Sequence, residues 1–127
     1  MEWRFEMNAI FLGTAAVMGL TTGFHVFAGG PVIMRPIRHS ELSKPVKAVA
    51  DVLWHGITVV LAVMAVGLGW LAYQPNAALL WMICAVQFGF AALFIWYGLR
   101  HLGNLKQLPQ WIVFLMVPML SVWGFYG

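Results

Sequence analysis

The chain has 127 residues, 62% hydrophobic and only 9% charged, with a formal net charge of +3. A soluble domain carries about 25% charged residues, so this composition excludes an ordinary globular fold and points to lipid. The cations gather in short connections, as the positive-inside bias requires. They offer no groove or sheet face that would read nucleic acid.

The first apolar stretch, about 7–29, follows Met1-Glu2-Trp3-Arg4-Phe5-Glu6. That start lacks the basic region of a signal peptide. The stretch is too long for an h-region, and no small-x-small cleavage pattern ends it. It predicts a retained helix, stopped by Gly29-Gly30-Pro31. Ala15, Gly19 and Gly23 form a ladder of small residues suited to close packing in lipid. A basic linker, 30–47, follows. Its run Arg35-Pro36-Ile37-Arg38 is expected at the headgroups, where anionic lipid attracts basic side chains. Ser43 is the expected N-cap of the second helix, with Pro45 in its first turn.

The second stretch, about 48–73, joins the third, about 77–99, through Gln74-Pro75-Asn76. So short a turn predicts an antiparallel hairpin. Ala85 and Gly89 repeat the small-residue spacing on the third helix. Gly103-Asn104 marks the next loop, and the fourth stretch, about 108–126, starts with Pro109 near its first position. Pro118, inside it, removes a backbone donor and is expected to kink the helix. Roughly 20 apolar residues cross a bilayer as a helix. The four stretches therefore predict an all-α, integral membrane, four-helix up-and-down bundle, a single domain over 1–127.

This threading puts Arg35, Arg38, Lys44, Lys47, Arg100 and Lys106 on one face, leaving only Arg4 of the seven cations on the other. The basic face should then be cytoplasmic, with both termini outside, in a bacterial inner membrane. The aromatic belt agrees. Trp3, Trp70, Tyr73, Trp81, Trp123 and Tyr126 fall near the sparsely charged face, and Trp96, Tyr97 and Trp111 near the basic one.

Three helices carry polar stripes: Thr14, Thr21, Thr22 and His25 on the first; Lys47, Asp51, His55 and Thr58 on the second; Gln87, Gly98 and His101 on the third. Asp51 and His55 are four apart and share a helical face. By depth, His25 pairs with Asp51, Thr21 and Thr22 lie level with His55, and Gln87 lies level with Thr58. Ionisable groups in a membrane usually face the bundle interior, so a polar funnel opening to the basic side is expected, with His55 buried. His25, His55 and His101 are then candidate cofactor ligands. With Asp51 they could hold a divalent transition metal, or as axial ligands a b-type haem. Thr21, Thr22, Thr58 and Gln87 complete the expected polar network. Read more plainly, the same groups only bond helix to helix, as in an accessory subunit. A third reading is a small oligomeric transporter that passes protons or substrate through them.

His39 reads as a solvated linker residue. The lone Cys84 excludes an internal disulfide and a cysteine metal framework, and the eight methionines read as apolar filler. No phosphate loop, HExxH, CxxC or nucleophile elbow occurs. The expected partners are the lipid bilayer, anionic headgroups at the basic linker, and further copies of the chain or a larger membrane complex.

Overall fold

The computed structural model describes residues 6–127, and among them every regular element is a helix. Trp3 and Arg4, expected at the sparsely charged end, lie outside the described residues, as does the rest of 1–5. Helix α1 spans Ala9–Phe24 and winds without interruption into a π-helix, His25–Met34, and then α2, Arg35–Arg38. Helix α3 spans Lys44–Leu71, α4 Ala77–His101 and α5 Trp111–Tyr126. Three of these bodies, Ala9–Arg38, Lys44–Leu71 and Ala77–His101, are long and apolar enough to cross a membrane. The 16 residues of α5 rise about 24 Å, short of the roughly 30 Å of hydrocarbon.

The expected stop at Gly29-Gly30-Pro31 does not occur. Pro31 lies inside the π-helix. In an α-helix its ring would press on the carbonyl four residues back, and the wider π turn relaxes that crowding. Gly29 also has a tertiary reason to be there. A Cβ on it would sit 2.9 Å from the Trp54 ring. The helix thus runs to Arg38, and the expected linker 30–47 shrinks to the turn 39–43. Helix α3 begins at Lys44, directly after the expected N-cap Ser43 and ahead of the apolar stretch near 48, and Ser43 makes no side-chain capping bond. Pro109 does not open α5. It precedes the cap Gln110, and the helix continues through Pro118 to Tyr126.

Asn8 opens α1. Its side-chain oxygen accepts from the backbone N–H of Ile10 at 3.1 Å and of Phe11 at 3.4 Å. Its side-chain nitrogen donates to the Gly124 carbonyl at 2.8 Å, and its backbone N–H to the Ala72 carbonyl at 2.8 Å. One residue therefore ties the start of α1 to the ends of α3 and α5. It sets α1 antiparallel to both.

Helix α1 packs along α3 and α5, and α4 along α5, whereas α3 and α4 touch little. The α3–α4 approach includes Gly67, whose missing Cβ admits the Ile83 side chain. The core gathers Phe11 and Met18 from α1, Leu61, Met64 and Leu68 from α3, Leu80, Cys84 and Ala91 from α4, and Phe114 and Val117 from α5. On α3 every fully buried residue lies at or beyond Leu61, and in the helix running from His25 to Arg38 only Met34 is buried. In these two helices the basic half is thus the less packed half. The expected small-residue ladders do not make these contacts. A Cβ on Gly19, Gly23 or Gly89 would meet nothing within 4 Å, and Ala85 is exposed. Only Ala15 of the first ladder packs inward, against the core.

Candidate functional site

The inward stripe of α3 runs Lys47, Ala50, Asp51, Trp54, Ile57, Thr58, Leu61, Met64 and Leu68, all at least partly covered. This i, i+3, i+4, i+7 progression is the helical period. It reaches Trp54 and Thr58 and passes beside His55, which is exposed on the outward flank. The expectation that His55 is buried in the bundle is therefore corrected. Asp51 and His55 are neighbours along α3, yet only Asp51 is turned toward α2.

His25 and Asp51 do not meet. The imidazole of His25 stacks on Trp54, with ring centroids 3.9 Å apart and planes 17° from parallel. Its Nε2 lies 3.1 Å from the Trp54 carbonyl oxygen. That oxygen can only accept, so Nε2 carries the proton. The same carbonyl accepts from Thr58 Oγ1 at 3.2 Å. Asp51 instead takes Arg38, whose Nε donates to Oδ1 at 2.9 Å while Nη2 donates to the same oxygen. This ion pair is half open, with the two side chains 47% and 35% exposed. It exists because the π-helix carries the chain on to Arg38 instead of stopping at Gly29.

The remaining hydroxyls close on their own helices. Thr14 donates to the Phe11 carbonyl, Thr21 to Val17 at 2.8 Å and Thr22 to Met18 at 2.8 Å. Such back-bonding satisfies a hydroxyl in an apolar setting without a second helix. Gln87 does not reach Thr58, because α3 and α4 make little contact with one another. The Gln87 side chain is fully buried, and neither amide atom has a hydrogen-bond partner among the described residues. Nearby on α4, Cys84 turns its thiol to the Pro118 carbonyl at 3.9 Å. His101 is exposed and stacks on Tyr97 of its own helix, centroids 4.9 Å apart. His39 is exposed in the turn.

The four candidate ligands, His25, Asp51, His55 and His101, are therefore not brought to one point. Among the described residues no three His, Cys, Asp or Glu side chains converge to hold a metal ion. A groove of about 400 Å³ on α1 and the π-helix, lined by Gly19, Leu20, Gly23, Phe24, Phe27 and Ala28, carries no polar side chain to hold a polar ligand. What the chain does assemble is a clamp between the α1–π–α2 rod and the first half of α3. It comprises His25 on Trp54, Gly29 under Trp54, and Arg38 on Asp51. Trp54 and Arg38 are not among the site residues expected from the sequence. A signal was available in the spacing, since 25 and 29 share one helix face. Comparison with protein-family profiles, with curated proteins and with solved structures finds no match to this chain.

Proposed function

We infer that this chain is an integral protein of a cytoplasmic membrane whose helices all cross the bilayer. The turn 39–43 and the connection 102–110 then lie inside, and both termini outside. α5 is accommodated by local thinning or by tilt of its neighbours. Its role is that of a non-catalytic accessory or scaffold subunit. The carrying observation is that the inward polar groups of the spans, Lys47 and Gln87 excepted, are spent on clamps within the chain or on their own helix carbonyls. They are not left converging on a ligand. Exposed cations at the basic end, Arg35, Lys44 and Arg100 among them, suit anionic headgroups.

Two measurements test this. A cysteine placed at His39 or Lys106 should be protected from an impermeant external maleimide, and one at Gln74 should be labelled. The reverse pattern overturns the orientation. Purified protein should show neither a Soret band nor stoichiometric metal. The cofactor reading keeps one supporting observation, the outward imidazole of His55, whose ring makes no hydrogen bond among the described residues. A haem or transition metal would then have to be held between chains, and binding lost in His55→Ala would favour that reading over the accessory one.

A further inference from the structure

Helix α3 has a second stripe, on the side turned away from α1. Ala48, Val52, His55, Val59, Ala62 and Val66 are all exposed, with Val52, Val59 and Val66 at 70%, 60% and 73%. Their spacings are 4, 3, 4, 3 and 4, the a/d pattern of a left-handed helix pair. Val52, Val59 and Val66 take one core position, where β-branched residues favour two strands. Ala48, His55 and Ala62 take the other, where small residues allow close approach in lipid. The 28 residues of α3 rise about 42 Å, and His55 lies about 16 Å from its start. Centred on about 30 Å of hydrocarbon, the imidazole is about 10 Å inside the apolar layer. Acyl chains offer it no hydrogen-bond partner, and ionisable groups at such depth face protein or a wet cavity.

We propose that a second copy of this chain packs against this stripe, α3 on α3, with the two His55 side chains in one layer on the twofold axis. The inference rests on the membrane reading given above. Copies inserted in one orientation meet about an axis along the membrane normal, so each residue meets its own equivalent at the same depth. Few side chains are complementary to themselves in that arrangement. A neutral imidazole is, because one ring nitrogen donates and the other accepts. His55 of one copy donates to the bare nitrogen of His55 in the other, and the polar layer fixes register as a single polar core residue does in a helix pair.

Single cysteines in a Cys84→Ala background, oxidised in native membranes, test the seam. Val52→Cys, Val59→Cys and Ala62→Cys should give covalent dimers of the chain. Val46→Cys and Leu53→Cys, exposed but off the seam, should not. Interhelical hydrogen bonds in lipid average about 0.6 kcal/mol, so His55→Leu should lower the dimer constant in vesicles about threefold, while His55→Asn keeps it. Crosslinking that is absent, uniform around α3, or directed to a different polypeptide overturns the proposal. A chain that stays in carbonate-washed membranes but fails the seam test loses only this inference. A chain stripped by carbonate loses the membrane reading as well.

Discussion

His25 lies flat on Trp54, 3.9 Å between ring centroids, while its Nε2 reaches the carbonyl of that same residue at 3.1 Å. One residue of α3 thus presents both a face and an acceptor to the point where α1 widens into the π-helix. The next turn brings Gly29 against the edge of the same indole, where a Cβ would stand 2.9 Å from the ring. Packing in lipid rests on such close van der Waals contact rather than on the hydrophobic effect.

Gly29→Ala should therefore destabilise the protein by about 1–3 kcal/mol, the usual cost of overfilling a packed site. Thermal unfolding in detergent micelles measures this. In a Trp54→Phe background, which removes the obstructing ring, the cost of Gly29→Ala should fall sharply. Equal losses in both backgrounds would mean that Gly29 is needed for its backbone and not for Trp54.

Arg38→Gln and Asp51→Asn should be coupled. The double variant should lose less stability than the two singles together, because the singles strand one member of the same pair. His25→Ala and Asp51→Asn should be additive. The reverse result would put Asp51 with His25, as their matching depth in the sequence suggests.

Much of the fold was legible in the hydropathy of the chain. The hairpin at Gln74-Pro75-Asn76 and the helical content follow from apolar run length and turn chemistry. The rod from Ala9 to Arg38 was not, because Gly-Gly-Pro is penalised in an α-helix and the rule is silent about a π-helix backed by Trp54. That one misreading propagated. Ending the first helix at Gly29 removed Arg38 from Asp51's reach and left His25 as the nearest partner. His55 was misplaced for a different reason. A spacing of four puts two residues on a shared face only to within about 40°, and Asp51 already lies at the edge of the inward stripe of α3, so the same step carries His55 out of it.

Gln87 is buried, and neither amide atom has a partner among the described residues. An unmet buried polar group costs about 1–3 kcal/mol, so Gln87→Leu should raise the unfolding temperature in micelles. A lowered temperature would show that the amide is bonded in the membrane-embedded protein and contributes to holding α4 in place.

Asn8→Ala should cost about 1–2 kcal/mol through the lost cap, and more through the lost side-chain tie to Gly124, while the backbone N–H of residue 8 still reaches Ala72. Asn8→Ser, which can still cap but cannot reach the Gly124 carbonyl, should recover only part. Full recovery by serine would reduce the Asn8 side chain to a helix cap, with no role in setting α1 against α5.

The ten residues His25–Met34 also act as a phase setting. Each residue of an α-helix turns the chain by roughly 100°, and the wider π turn rotates it somewhat less. Removing one residue from this stretch would swing Arg38 out of line with Asp51 while leaving His25 on Trp54. Adding one would do the same in the other sense. The number of residues between the two grips is therefore constrained as tightly as their identity.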